Sequence, residues 1–442
     1  MGRESQSAKL NVYMNGILVG ILERLTTSLL EFTYADEWMQ MEESRPLSLS
    51  MPLFTKKHSG DVVRNYLDNL LPDNQKVLDR IQARLKIGRS DSFDILAEIG
   101  NDCVGAIQLV PYGKTPCRVR NIEGKLLSDH DIAKILKNYQ TEPLGMDDSD
   151  DFRISLAGAQ EKTALLKRDK GWYRPEGSTP TTHIIKLPIG YIRANNIDLS
   201  ESVENEWLCH LILKAFGLAV ANMDIVQFED MKVLSVERFD RKLADDKSWI
   251  IRLPQEDFCQ ITGTSPSLKY EKDGRLGIER IMEILRGSSN SQEDRHTFMK
   301  TVFLFWVMGA VDGHAKNFSI RLNPQGAYNL TPIYDVISIY PSLAKKEIHP
   351  SKIKMAMAVV GTNKQYLWER IHVSNWIRTA DACNFSTEAM KGIVKDVISS
   401  MDDVIANVRK QLPENFPSHI AEPIFNYMQE IKIKCMQNME EI

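Results

Sequence analysis

Residues 309–320 read "GAVDGHAKNFSI" and follow "TVFLFWVM" (301–308), the most apolar run in the chain. An aspartate, a histidine, a lysine and an asparagine directly after a buried-looking segment need an explanation. On a helix Asp312 and Asn317 would point about 140° apart. On a strand their odd spacing would put them on opposite faces. If they act together, they sit on an irregular loop held by rigid elements, the usual setting for a metal or phosphate site.

Downstream stands "NFSIRLNPQGAYNLTPIYDVIS" (317–338), in which Phe318–Leu322 and Ala327–Leu330 alternate about an Asn323-Pro324-Gln325-Gly326 turn. A hairpin there pairs residue 317 with roughly residue 332 and returns Asp335 to Asn317, with Asp312 a few residues away. Two carboxylates and an amide oxygen are hard donors, which magnesium prefers together with substrate phosphates. The D-x-x-x-x-N spacing and a later Asp match the phosphoryl-transfer arrangement, with "YDV" where protein kinases have D-F-G. Alone, such a pair is more often a polar loop followed by an ordinary hairpin.

The order of features upstream changes that balance. "SLAGAQEKTALL" (155–166) is a candidate phosphate-covering turn, though Glu161 stands where a Walker A motif needs Gly, and Gly158 is single. "THIIKLP" (182–188) ends a strand in Lys186, similar to the strand whose lysine grips the α/β-phosphates. The helix "SVENEWLCHLILKAFGL" (202–218) offers Glu204 or, slightly preferred, Glu206 as that lysine's partner. "MKVLSVERFDR" (231–241) is a strand running into a polar hinge. Each signal is weak; their order (loop, strand lysine, helix glutamate, hinge, D-x4-N plus Asp) favours a kinase-like fold.

Composition excludes several classes. With 442 residues, 43% apolar and 26% charged, the chain is an ordinary globular protein with room for two or three lobes. A formal charge of −4 gives no overall footprint for nucleic acid. The six cysteines lack CxxC spacing and the nine histidines lack HxH or HExxH, so zinc is not expected and the thiols are expected free in a reducing cytoplasm. The N-terminus has no apolar signal region, and the longest apolar run is far short of the roughly 20 residues a bilayer needs. A cytoplasmic protein without membrane contact is the expectation.

Along the chain, "KLNVYMNGILVGILE" (9–23) predicts a hairpin about Asn15-Gly16. "RPLSLSMPL" (45–53) alternates with period two, and "NYLDNLLPDNQKVLDRIQARLK" (65–86) has helical periodicity. The acidic "MDDSDD" (146–151) marks a boundary. Strands predominate from 151 to about 260; after about 275 the chain is mainly helical, with one hairpin as the exception. The expected class is α+β: a strand-rich N-terminal subdomain (1–145), a kinase N-lobe-like core (146–260) and an all-helical C-terminal lobe (261–442), around an ATP cleft.

"DFRISLAGAQEKTALL", "TPTTHIIKLPIG", "VERFDR", "RLPQED" and "GAVDGHAKNFS" followed by "LTPIYDVIS" resemble the HipA family, the serine/threonine kinase toxins of type II toxin–antitoxin pairs. "RPLSLSMPL", "DNLLPDN" and "ILAEIGNDCVGA" extend the resemblance over nearly the whole chain. It implies Asp312 as catalytic base, Asn317 and Asp335 as magnesium ligands, and Lys186 on the ATP phosphates. It implies a phosphate loop of Ala157, Gly158, Ala159, Gln160, Glu161 and Lys162, with Glu237, Arg238 and Phe239 at the adenine. His314, Ala315, Lys316 and Asn317, with Tyr334, Asp335, Val336 and Ile337, would line the nucleotide site, and Ser155 would be autophosphorylated. The implied partners are a HipB-like helix-turn-helix antitoxin, operator DNA through that complex, and a translation target, glutamyl-tRNA synthetase. The chain departs from ordinary protein kinases in lacking the glycine-rich triplet and the D-F-G phenylalanine. A small-molecule phosphotransferase and a catalytically idle corepressor are the competing readings.

Overall fold

The computed structural model describes residues 8–85, 87, 91–138, 156, 160, 162–169, 171–193, 196–274 and 276–439. Its contacts divide into two units interleaved in sequence: 1–187, 226–267 and 319–328 form one, and 188–225, 268–318 and 329–442 the other.

The first unit opens with strands β1 (Ala8–Met14), β2 (Ile17–Arg24), β3 (Leu30–Tyr34), β4 (Lys57–Ser59) and β5 (Ile107–Pro111) in the antiparallel order β4-β3-β2-β1-β5. Asn15 and Gly16 both hold positive φ (49° and 84°), the primed-turn geometry that the Asn-Gly pair predicts. One face of this sheet packs on helices α1 (Asp36–Gln40), α2 (Asp61–Asp68), α3 (Gln75–Leu85) and α4 (Ser92–Ile99) around a core that includes Phe32, Tyr34, Leu67, Phe93 and Leu96. The 65–86 stretch is therefore two helices, broken before Pro72. "RPLSLSMPL" is not a strand: it forms a turn with a single bridge between Ser48 and Met51. There the Ser48 hydroxyl shares a hydrogen bond with Ser50 and donates to Gln260 O, so side chains take the place of a ladder.

A second sheet has the order β12-β13-β9-β7-β8-β6, from β6 (Gly124–Leu127), β7 (Lys162–Arg168), β8 (Gly171–Pro175), β9 (His183–Lys186), β12 (Met223–Phe228) and β13 (Met231–Glu237). Helix α5 (Asp129–Lys137) covers it through Ile132, Ala133 and Leu136, against Leu165, Ile185 and Val233. Strands β10 (Gly190–Ile192) and β11 (Ile197–Leu199) form a short ladder, as do β14 (Arg241–Leu243) and β15 (Ile250–Arg252). Strands β16 (Gln255–Asp257), β17 (Ser319–Leu322) and β18 (Tyr328–Leu330) form a three-stranded sheet whose β17–β18 connection is the predicted Asn323–Gly326 turn.

The second unit is mainly helical: α6 (Ser202–Ala215), then α8 (Glu271–Gly274), α9 (Ile278–Leu285), α10 (Ser291–Met308), α11 (Tyr340–Ala344), α12 (Val373–Ala382), α13 (Thr387–Arg409) and α14 (Ser418–Met439), while α7 (Phe258–Ile261) belongs to the first unit. The helical part also carries a strand pair that the sequence reading did not anticipate, β19 (Lys354–Val360) with β20 (Lys364–Leu367). Helix α10 buries almost its whole circumference after Phe298, the pattern of a core helix. Among the described residues no helix is long and apolar enough to cross a membrane.

Candidate active site

In the second unit, helix α10 stops at Gly309, which adopts the left-handed conformation with φ 64°. A Cβ at Gly309 would lie 2.5 Å from the Tyr340 ring, so the close approach and the backbone both require glycine. The chain then leaves the core as a tight loop. His314 N donates to Asp312 O at 2.8 Å, Asn317 N donates to His314 O at 2.9 Å, and Ala315–Asn317 forms one turn of 3-10 helix. Gly313 packs so close to Phe305 that a Cβ would be 2.5 Å from the ring. From outside, Ala315 N donates to Lys269 O at 3.3 Å and Ala356 N donates to Val311 O at 2.8 Å. Phe318, 1% exposed, closes the loop by packing edge-on against Phe298. The odd spacing thus resolves as the sequence demanded, on an irregular loop.

Asn317 and Asp335 meet. The Asn317 Nδ2 donates to Asp335 O at 3.1 Å, and Tyr334 Oη donates to Lys316 O at 2.9 Å. Asn317 is buried, and its Oδ1 has no hydrogen-bond partner among the described residues. A buried amide oxygen left without a donor costs stability unless something else satisfies it. Asp335 holds φ 62°, a left-handed conformation uncommon for a residue with a Cβ. Asp312 is exposed, and its Oδ1 accepts a hydrogen bond from Tyr270 Oη at 2.9 Å.

Helix α6 supports the 333–338 segment. Asn205, between the two glutamates that the sequence offered, receives Ser338 N at 2.9 Å on its Oδ1 and donates from Nδ2 to Ser338 O at 2.8 Å. Ser338 Oγ in turn donates to Met308 O at 2.6 Å. Glu204 and Glu206 are both buried, and Glu206 lines a small cavity with His210, Tyr334, Asp335 and Val336. Burial, with help from Lys214, pushes the His210 imidazole down to about 4, so it is neutral there.

The first unit carries the other predicted residues. Lys186, buried, ends β9 with Lys162 opposite it on β7 and Leu234 opposite it on β13. Gln160 Nε2 donates to Leu187 O at 2.6 Å, which ties the chain before β7 to the exit of β9. Glu237 is exposed at the end of β13, and Phe239 O accepts from Arg321 at 3.0 Å. The Arg238 side chain is not at a surface: it is buried, bonded to Asp240 at 2.7 Å and to Thr181 Oγ1 at 2.9 Å. Ser155, Ala157, Gly158, Ala159 and Glu161 lie outside the described residues.

The sequence reading missed Tyr270 and Asn205. Neither has a local pattern: Tyr270 precedes Asp312 by 42 residues, and Asn205 reads as one more polar residue in "ENE". The available signal was an amide between two acids on a helix otherwise rich in apolar residues.

The chain as a whole is similar to proteins of one family. Residues 154–405 match the model of the HipA-like C-terminal domain, and residues 10–110 match that of the HipA N-terminal domain. The chain is 29% identical over 405 residues to the putative kinase Y4mE of Sinorhizobium fredii, covering 90% of this chain and 91% of that protein. It is 28% identical over 347 residues to the serine/threonine-protein kinase toxin HipA of Shewanella oneidensis, covering 76% of each. Its fold matches HipA in the solved complex of Shewanella oneidensis HipA, HipB and operator DNA, with a TM-score of 0.79, 24% identity and 97% of both chains covered.

Proposed function

The chain belongs to the HipA family, and from that premise we propose that it is the serine/threonine protein kinase of a toxin–antitoxin pair, using ATP and magnesium. The observation that carries the chemical part is the buried, unsatisfied Asn317 Oδ1 beside Asp335, a few residues from an exposed carboxylate at Asp312. Asn317 and Asp335 would supply the hard oxygen donors that magnesium takes, and the orphan amide oxygen of Asn317 is the feature that fits the ion. When bound, magnesium neutralises charge on the transferring phosphates.

The chain's own residues do the rest. Asp312 accepts the proton of a substrate hydroxyl as that oxygen bonds to the γ-phosphorus, and the bond from that phosphorus to the bridging oxygen of ADP breaks. Asn205, through Ser338, holds the Asp335 segment so that the donors do not rearrange during transfer. Lys186 and Lys162 are register partners on the neighbouring strands β9 and β7, which brings two cationic side chains to one place in the sheet. By family resemblance Lys186 would hold the ATP phosphates with the stretch Ala157–Lys162, and Glu237–Phe239 would stand at the adenine. The same resemblance assigns His314–Asn317 and Tyr334–Ile337, in the second unit, to nucleotide binding.

The finer readings follow the family. Ser155 is the autophosphorylated residue, and a phosphate of roughly −1.5 to −2 charge there, a few residues after Asp147, Asp148, Asp150 and Asp151 in the sequence, switches ATP binding off. The substrate is a translation enzyme of the glutamyl-tRNA synthetase kind, in the cytoplasm. A HipB-like antitoxin carries the chain to operator DNA as corepressor, a reading supported by the HipA–HipB–DNA complex that shares its fold.

The test is labelled ATP with the purified chain and a cell lysate, followed by identification of the labelled peptides. Wild type should label itself at Ser155 and a translation protein; Asp312→Asn should bind ATP but transfer at least about 10²-fold more slowly. Wild-type transfer by Asp312→Asn removes the base assignment.

A further inference from the structure

We propose that Tyr270 is a positioning residue for the Asp312 carboxylate: it holds one oxygen so that the other faces the acceptor hydroxyl. This inference rests on the reading of Asp312 as the base. Tyr270 Oη donates to Asp312 Oδ1 at 2.9 Å, while Oδ2 has no partner among the described residues. A carboxylate on an exposed loop position turns freely unless one oxygen is fixed, and a base must present a lone pair along the line of proton transfer. A single charge-assisted hydrogen bond from a phenol supplies that restraint.

Tyr270 is itself held on several sides. Its carbonyl accepts from Asp273 N and Gly274 N at 3.0 and 2.9 Å, which fixes it at the start of α8. Its ring lies edge-on to His314 with centroids 5.1 Å apart, so the residue touches the loop at two points. The preceding carbonyl, Lys269 O, receives Ala315 N from the same loop. The following residue, Glu271, is buried; it accepts Ala358 N at 2.6 Å and is ion-paired with Lys364, so it ties α8 to β19 and β20. Strand β19 also donates Ala356 N to Val311 O, next to Asp312. The phenol and the carboxylate are thus mounted on one braced frame, so their contact is built in.

The experiment compares wild type, Tyr270→Phe, Asp312→Asn and the double variant in steady-state and single-turnover phosphoryl transfer to a protein acceptor, with ATP binding and thermal melting measured in parallel. Phenylalanine keeps the ring against His314, so folding and ATP affinity should be unchanged. We expect kcat to fall about 10- to 100-fold in Tyr270→Phe with KM for ATP unmoved. In the Asp312→Asn background the same change should add no further loss, because Tyr270 acts only through that carboxylate. An unchanged kcat, a raised kcat (a phenol that shields the base), or an additive loss in the double variant each overturns the positioning role. If Asp312→Asn itself transfers at the wild-type rate, the base assignment has failed instead, and the two failures are told apart by that variant alone.

Discussion

Asp335 sits at φ 62° with its carbonyl taken by Asn317 Nδ2. For most side chains that conformation costs about 1 kcal/mol or more, and aspartate and asparagine tolerate it best. The position therefore selects for a short polar side chain before any metal is considered, and the site role is added to a backbone requirement. Asp335→Asn separates the two: the conformation survives, and one negative ligand is lost. We predict an unchanged melting temperature and a fall of at least about tenfold in magnesium-dependent ATP affinity, measured by calorimetry with and without magnesium. Equal affinities would place the ion elsewhere. At this scale the sequence was informative where the chemistry is local. The Asp312–Asn317 spacing ruled out both regular elements, and the hairpin arithmetic returned Asp335 to Asn317. It was silent on Tyr270, because a hydrogen bond across 42 residues leaves no mark on a linear pattern.

Helix α10 decides where the loop begins. Its last turn is buried, so its final carbonyls must find donors inside the protein. Tyr340 Oη donates to Val307 O at 2.9 Å, and Trp368 Nε1 donates to Trp306 O at 3.0 Å. Ile339 N donates to Gly309 O at 2.9 Å, so the Tyr334–Ile339 stretch is pinned to the point where the helix ends. Gly309→Ala attacks that point twice, through a left-handed backbone and a Cβ within 2.5 Å of the Tyr340 ring. It should lower stability by about 2 kcal/mol or more and slow phosphoryl transfer, read by denaturant unfolding and by turnover at a temperature where the variant is folded. A midpoint equal to wild type would mean that the Tyr340 ring yields freely. Elements with a clear local signal were legible, among them the β1–β2 hairpin, α6 and the β17–β18 turn. "RPLSLSMPL" was misleading because period two is also produced by a turn whose buried residues, Leu47 and Met51, flank serines bonded to backbone. The β19–β20 pair was missed inside a region whose other elements are helical.

For the molecule as a whole, sequence segments and compact units do not run in parallel. The first unit draws on residues from both family-matched stretches, 10–110 and 154–405. One of the links between them there is a buried charge cluster. Asp102, from the first stretch, meets Arg241 at 2.9 Å, Arg252 at 3.4 Å and Arg238 at 3.5 Å, all from the second, and Asp240 pairs with Arg238 at 2.7 Å. Burial works to raise the Asp102 carboxyl, but Arg241, Arg238 and Arg252 together hold it below the ordinary carboxylate range. Its contribution is therefore in place above the usual carboxylate pKa and is lost only as pH falls beneath it. Charges two residues or three apart in "VERFDR" gave no hint of this, since the partner lies in "GNDCVGA", far back in the chain. Two aspartates face three arginines, so there is no spare negative charge. Asp102→Asn leaves Asp240 alone with three buried guanidinium groups, and removing one member of such a cluster costs about 3–5 kcal/mol. The exposed pair Lys56–Asp36 is the control: Asp36→Asn removes a carboxylate that water already screens. We predict that limited proteolysis frees a fragment of the first 110 or so residues from Asp102→Asn but from neither wild type nor Asp36→Asn. Equal resistance in all three would mean that the apolar contacts of this unit hold the two stretches together without the charges.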